Sequence, residues 1–296
     1  MELGFDWNLY RTFYAVAKFK SFSEASKKLY VSQPTISNSI KRLENQLETK
    51  LFYRKTDGVS LTTDGREFLS YVEKSYNLLI SGTRNLQSAK EFSKGKVSIG
   101  VRSHIGDFFL FEYIEKFHKE NPNIDISVVS RNTEQMIELL QSNKLDFIID
   151  TSPINSRYNN LEIISLFELE NCFVSKEKIK ESLSFNDLDN YNIILPLETS
   201  TPGKELEKAV SKQGAKLNPL MTIDTTEMLI NAVHKNLGIG YVIKQAVKEA
   251  IENKVLYEVK IKEELPKLVL NIVYIEDYLT HIPRAFMDMI INDYNR

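Results

Sequence analysis

The chain has 296 residues, 42% apolar and 26% charged, enough to bury proper cores in two or three folded domains. A net charge of −2 excludes a nucleic-acid-binding coat along the whole chain, yet the charge is uneven: Met1 to Arg66 carries 11 Lys/Arg against 7 Asp/Glu, a balance of +4 that leaves −6 for the rest. A basic end on an acidic body suits phosphate contact at that end only. The single cysteine, Cys172, excludes an intramolecular disulfide and, flanked by Phe173 and Val174, reads as a buried core thiol. Glu2, Asp6 and Asn8 break any apolar run of a signal peptide, and no stretch nears the roughly twenty apolar residues of a membrane span. A cytoplasmic chain without membrane contact is expected.

In chain order, Leu9, Phe13, Val16 and Ala17 form a helical stripe. Ser23 is expected to cap a short helix carrying Ala25, Ser26 and Leu29. Tyr30 and Val31 interrupt it, and Ser32 caps a second helix with Pro34 in its first turn, where a missing N–H costs little. Ile36, Ile40, Leu43 and Leu47 recur at four, three and four, so Thr35, Ser37, Asn38, Lys41 and Arg42 lie off the buried stripe. A short helix, a corner and a longer helix with polar and basic residues outside describe a helix-turn-helix; on this stretch alone an ordinary helical hairpin stays open. Two extended runs, 51–55 and 59–62, joined through Thr56-Asp57-Gly58, predict a small hairpin or wing. Arg54 and Lys55 at its base suit phosphates beside a groove.

Here a resemblance emerges. Phe13, Val16, Ser21-Phe22-Ser23, Ala25, Leu29, Val31-Ser32-Gln33-Pro34, Ser37, Leu43-Glu44, Leu51-Phe52, Arg54, Leu61-Thr62 and Gly65 resemble, without a gap, the winged helix-turn-helix of LysR-type transcriptional regulators. Lys20 and Glu48 stand where that family usually has glycine, Ser26 where it usually has alanine, and Asn38 where it often has a basic residue. Asn38 bears on readout, because an amide can bond adenine bidentately whereas arginine prefers guanine. The resemblance implies double-stranded DNA as partner, with Gln33, Thr35 and Asn38 at base edges, Ser37 and Lys41 close by, and Ser23, Ser32, Pro34, Arg54 and Lys55 in the remaining contact set.

Thr63 and Asp64 open a long helix running to about Ala89. Gly65, Phe68, Val72, Ser75, Leu79, Gly82 and Leu86 give it a short heptad seam, weakened by Ser75 and Gly82. It reads either as a surface helix on its own domain or, by resemblance, as the linker helix that pairs two chains over a roughly palindromic site. The resemblance further implies a homotetramer.

Past the joint Phe92-Ser93-Lys94-Gly95-Lys96 the pattern alternates: strand 97–101, helix 108–118, strand 124–129, helix 134–141, strand 145–149. Strand-like runs follow at 172–174, 193–195, 221–223 and 239–242, with helices at 204–212 and 227–235, then a strand at 268–274 and a helix at about 284–294. The fold class expected is α/β; the resemblance implies an N-terminal all-α winged helix-turn-helix (1–62), a linker helix and hinge (63–92), and a C-terminal two-lobed domain of the type 2 periplasmic-binding kind (93–296), with the last strand and helix returning to the first lobe as in the family. Its lobe I takes about 93–167 and 266–296, and its lobe II about 168–265. Open α/β sheets bind ligands beyond the carboxyl ends of their strands, near helix N-termini. That rule selects Arg102, Ser103 and His104; Arg131, Asn132 and Thr133; Ser200, Thr201 and Pro202, beside Thr199 and Gly203; and Thr225 with Thr226. The two arginines and the hydroxyls point to an anionic metabolite as effector, unless the Ser, Thr and Asn residues are plain helix caps. The four histidines have no metal-ligand spacing, and Gly238 and Gly240 fall short of a nucleotide fingerprint, so no catalytic centre, metal or cofactor is expected. The function expected is a ligand-responsive, sequence-specific transcriptional regulator; the alternative is a cytosolic small-molecule binder without specific DNA recognition.

Overall fold

In a computed structural model of the chain the described residues are 6–55, 58–88, 95–151 and 160–294, without the side chains at 54, 55, 58, 81 and 84–88. The chain forms two compact units, Met1–Thr83 and Arg84–Arg296.

The first unit opens with α1 (Trp7–Phe19), capped by Asp6, whose carboxylate accepts from the Asn8 amide at 3.1 Å. Leu9, Phe13 and Val16 are buried along its inner face. Helix α2 (Phe22–Leu29) begins two residues earlier than its apolar spacing suggests. Its cap is Ser21 and not Ser23: the Ser21 hydroxyl accepts from the Glu24 amide at 3.2 Å, and Ser23 lies exposed in the first turn. Burial of Phe22 in the core pulls this residue into the helix, and Ser21-Phe22-Ser23-Glu24 has the spacing of a capping box. Tyr30, in the left-handed region at φ 57°, turns the chain into α3 (Gln33–Gln46). Ile36, Ile40 and Leu43 are fully buried beneath α3.

The hairpin β1 (Phe52–Lys55) and β2 (Gly58–Leu61) is antiparallel with Phe52 opposite Leu61 and Lys55 opposite Gly58. The expected turn residues Thr56 and Asp57 lie outside the described residues, as do the side chains of Arg54 and Lys55. Glu44 ties α3 to this hairpin: its buried carboxylate accepts from the Leu51 amide at 2.9 Å, the Phe52 amide at 3.4 Å and the Lys50 ammonium at 2.8 Å. Burial pushes this carboxyl's pKa up, but the Lys50 ammonium and the two amides outweigh that and hold it below its ordinary value. Thr62 caps α4 (Thr63–Ser88) by accepting from the Gly65 amide at 2.9 Å and donates to the Lys50 carbonyl at 2.7 Å. Gly65 has to be glycine, because a Cβ there would stand 2.1 Å from the Leu51 carbonyl oxygen.

The heptad seam of α4 splits in two. Val72 is buried and Phe68 half-buried in the core of this unit, whereas Leu79 is 56% exposed and Leu78 45% exposed. Only the later part is left for another chain, and the Leu86 side chain lies outside the described residues.

The second unit holds two five-stranded mixed sheets. In the first, β3 (Gly95–Val101) pairs in parallel with β4 (Ile124–Val129) and β5 (Phe147–Thr151). Between β3 and β4 run α5 (Ser103–Ile105), a π-helical turn at Gly106–Leu110, and α6 (Phe111–Glu120), and α7 (Thr133–Gln141) precedes β5. The order is completed by β6 (Glu162–Leu169) and by β12 (Leu268–Tyr274), which sits antiparallel between β5 and β6. One face of this sheet packs on the π-helical turn, on α6 and on α11 (His281–Tyr294) through Phe109, Phe117 and Phe286 respectively, and the other face on Met136, Ile137 and Leu140 of α7.

The second sheet has the order β11, β7, β10, β8, β9, formed by β7 (Asn171–Ser175), β8 (Ile193–Pro196), β9 (Met221–Ile223), β10 (Ile239–Ile243) and β11 (Tyr257–Val259). Helix α8 (Thr201–Lys212) covers one face with Leu206 and Val210, and α9 (Thr226–His234) the other with Leu229 and Val233. A short α10 (Lys248–Glu252) follows β10. Cys172 is 1% exposed within this core, and burial pushes its thiol up to about 12. The chain crosses between the two lobes at Glu170 and again before β12, where the Asn171 amide donates to the Pro266 carbonyl at 2.7 Å.

Candidate functional site

Two surfaces gather the functional candidates. On α3, Gln33, Pro34, Thr35, Asn38 and Lys41 are exposed opposite the buried stripe, and Ser37 is half-buried. Ser32 caps the helix, accepting from the Thr35 amide at 3.3 Å, and its hydroxyl also meets the Thr35 hydroxyl at 2.8 Å. Arg42 turns instead to Asp6 at 3.6 Å. The outward row is thus an amide, a proline, a hydroxyl, a second amide and an ammonium, a set of donors and acceptors of the length that fits base edges.

The other surface is the cleft between the two sheets of the second unit. All four predicted loops converge there. Arg102, Thr133, Ser200, Thr201 and Pro202 share an enclosed hollow of about 30 Å³ with His104, Thr225 and Thr226. Arg102, Ser103, His104, Arg131, Asn132, Thr225 and Thr226 line an adjoining, more open space of about 260 Å³. A third, of about 560 Å³, lies between Asn132, Thr133, Ser200 and Thr201, and Arg102 and Asp224 border all three.

Several of these side chains are spent on their own helices. Asn132 accepts from the Gln135 amide at 2.9 Å, Ser200 from the Gly203 amide at 3.2 Å, and Thr225 from the Met228 amide at 3.4 Å. Gly203 lets α8 start close to the preceding loop, since a Cβ there would lie 2.2 Å from the Leu197 carbonyl oxygen. With Pro202 lacking an N–H and the Gly203 and Lys204 amides bonded to Ser200, α8 offers Thr201 as its one free first-turn amide among the described residues. Arg131 donates to the Ser130 carbonyl at 2.7 Å. The Arg102 carbonyl accepts from the Ile105 and Gly106 amides at 2.9 Å, and its guanidinium has no hydrogen bond or ion pair among the described residues.

The cleft also contains residues that strand-end loops alone do not name. Asp150, 2% exposed at the end of β5, accepts from the Thr133 hydroxyl at 2.6 Å and from the Thr151 amide at 2.8 Å. Burial raises its pKa, against the pull of Thr133, the Thr151 amide and Arg102. Tyr241 lines the enclosed hollow and ends in a buried hydroxyl with no hydrogen-bond partner among the described residues. Glu227, in the first turn of α9, has one buried oxygen in the same condition. Burial lowers the His104 pKa to about 4, with Glu227 opposing the shift and Arg102 adding to it. Asp150 had a signal in the sequence: it is a carboxylate ending the apolar run Phe147-Ile148-Ile149, at the carboxyl end of a third strand of the same sheet. Among the described residues no group of three or more His, Cys, Asp or Glu could hold a metal ion, and no helix is long and apolar enough to cross a membrane.

Comparison with known proteins agrees with this division. The chain is 28% identical over 296 residues to the probable RuBisCO transcriptional regulator of Thalassiosira pseudonana, covering 97% of this chain and 96% of that protein. It is 26% identical over 287 residues to the HTH-type transcriptional regulator CzcR of Bacillus subtilis, with 96% of each covered. Among solved structures, a full-length OxyR variant of Pseudomonas aeruginosa superposes with a TM-score of 0.69 at 19% identity, over 98% of this chain and 95% of that one. Full-length CbnR complexed with its target DNA gives 0.66 at 16%, over 98% and 100%. Residues 7–66 match the bacterial regulatory helix-turn-helix proteins of the lysR family and residues 90–294 match the LysR substrate binding domain. The chain therefore belongs to the LysR family of bacterial regulatory proteins, with a helix-turn-helix at the front and a substrate binding domain behind it.

Proposed function

We propose that this protein is a LysR-type transcriptional regulator that reads a roughly palindromic operator with α3 and answers to a small effector held between its two α/β lobes. The observation that carries the DNA half is the division of α3. Ile36, Ile40 and Leu43 anchor one side, and Gln33, Thr35, Asn38 and Lys41 are exposed on the other. Gln33, Thr35 and Asn38 are assigned to base edges, and Ser32, Pro34, Ser37, Lys41, Arg54 and Lys55 to positioning contacts. Ser23, exposed at the start of α2, is assigned to the phosphate backbone. Pairing of two chains through the exposed later part of α4 sets the half-site spacing, and a pair of such dimers makes the tetramer.

For the cleft we assign Arg102, the Thr201 amide and the first turns of α7 and α9 to an anionic group of the effector, with Ser103, His104, Arg131 and Thr226 around them. Closure of the lobes on the effector changes how dimers sit on the operator.

Gel-shift or anisotropy titrations of the full chain on its own upstream region test the DNA half. Asn38→Ala is expected to cost about 1–3 kcal/mol on the cognate site and much less on random duplex. Equal losses on both remove Asn38 from base readout. No preference for upstream DNA over an unrelated duplex at moderate salt leaves only the reading as a small-molecule binder.

A further inference from the structure

The hollow between the lobes is lined by charges of both signs that form no ion pair with one another among the described residues. Arg102 and Asp150 border the same space, yet among the described residues neither has an ion-pair partner within 4.0 Å. Asp150 is 2% exposed, and among the described residues its two oxygens are hydrogen-bonded to a hydroxyl at 2.6 Å and an amide at 2.8 Å, with Arg102 attracting it from beyond ion-pair distance. A carboxylate this deep without a cation is costly unless something brings one. The Tyr241 hydroxyl, buried and unpartnered beside the same hollow, is a second polar group waiting for a partner. Pro196, Pro202, Ile223 and Leu229 supply an apolar wall between these polar points. A plain anion would satisfy Arg102 but bring Asp150 no cation, leaving that buried carboxyl either facing a like charge or driven toward its neutral form.

Building on the reading of the cleft as the effector site, we infer that the effector is a zwitterion of the α-amino-acid class. Its ammonium bonds to Asp150, while its carboxylate meets Arg102, the Thr201 amide and the Tyr241 hydroxyl. Thr133 is then a positioning residue that orients the Asp150 carboxylate. The ligand's side chain rests against the proline and aliphatic wall, which favours a small apolar group.

The test is a thermal-shift and calorimetric titration of the full chain against three matched series: the L-α-amino acids, the corresponding acids without the amino group, and the corresponding amines without the carboxylate. At least one amino acid is expected to raise Tm and to bind, with its deamino acid and decarboxylated amine at least about tenfold weaker. Asp150→Asn is expected to weaken that amino acid about tenfold or more. Tyr241→Phe, which removes only an unpartnered hydroxyl and so keeps the fold, is expected to weaken it about threefold to tenfold. A simple carboxylate binding as well as the amino acid, and losing its effect in Arg102→Ala, overturns the zwitterion while the cleft reading stands. Binding that none of the three variants alters overturns both, because the ligand then sits elsewhere. A flat response across all three series overturns the zwitterion.

Discussion

Glu44 is where the helix-turn-helix and the wing are joined, and its removal gives a magnitude that can be worked out. The residue is 7% exposed, and its Oε1 takes the amides of Leu51 and Phe52, residues 0% and 7% exposed. In Glu44→Leu both amides lose their acceptor where water does not reach them readily. An unsatisfied buried donor costs about 1–3 kcal/mol; with the Phe52 bond long at 3.4 Å, the sum is about 2–4 kcal/mol. In Glu44→Gln the amide oxygen still accepts from Leu51, and what goes is charge assistance and the ion pair to Lys50. That lysine's side chain is 71% exposed, so the pair contributes little and the loss is about 1 kcal/mol. Trp7 is the single tryptophan of the chain and lies in α1, so its fluorescence reports this unit alone during urea unfolding. Because the folded pKa of Glu44 lies below its unfolded value of 4.5, its contribution is complete above 4.5 and is lost as the pH falls through the lowered value. Glu44→Gln should flatten that acid limb. A Leu variant as stable as the parent, or a Gln variant as damaged as Leu, refutes the assignment.

Three further outcomes follow from the same geometry. Gly65→Ala should destabilise the Trp7-reported transition by more than about 2 kcal/mol, on the order of other overpacked sites, since its Cβ meets a backbone oxygen that no side-chain rotation can move. Lys20→Gly and Glu48→Gly should each stabilise that unit by about 0.5–1 kcal/mol, because both residues sit in the left-handed region at φ 51° and 52°; unchanged urea midpoints would show that neither pays for its conformation. His104 is held neutral by burial with a pKa of about 4 against the ordinary 6.5, so the second unit should lose stability as pH falls from 6.5 to 4, at up to about 1.4 kcal/mol per unit, and not change on this account above 6.5. Circular dichroism melts of the parent and of His104→Gln, whose limb should be flat, check the sign.

Much of the fold was legible because its signals are local. The four-three-four spacing of Ile36, Ile40, Leu43 and Leu47, the Ser32 cap and the pairing of Phe52–Lys55 with Gly58–Leu61 each depend on neighbours close along the chain. Strand β4 at Ile124–Val129 and strand β12 at Leu268–Tyr274 have the bounds their apolar runs predict. Strand β6 was not predicted: it is an edge strand held on one side only, by β12, and Glu162 and Glu168 give it no buried stripe. The Ser21 cap was hidden because Ser23 also precedes an apolar spacing, and only the burial of Phe22 decides between them. The cleft loops could be named from strand ends, and helix capping was the open alternative for their hydroxyls and amide; Asn132, Ser200 and Thr225 took that alternative, whereas Arg102 did not turn to a protein partner with its guanidinium. Nor does a sequence say that Asp150 meets a hydroxyl from α7, because that contact needs the sheet to be assembled first. The positions where glycine is usual in the family, Lys20 and Glu48, now have a cause in their positive φ.

The placement of β12 between β5 and β6 has a consequence for how the molecule is made. Every strand of the second sheet lies between Asn171 and Val259, so that lobe can close while the chain is still growing. The first sheet has its members β3, β4 and β5 early, yet its inner strand leaves the ribosome only after the whole of the second lobe. Until then the β5 edge stays open, a template for any stray strand. A polypeptide cut short anywhere between Val259 and Leu268 would therefore carry one finished lobe and one sticky, half-built one, and should precipitate or be degraded rather than persist as a ligand-blind regulator.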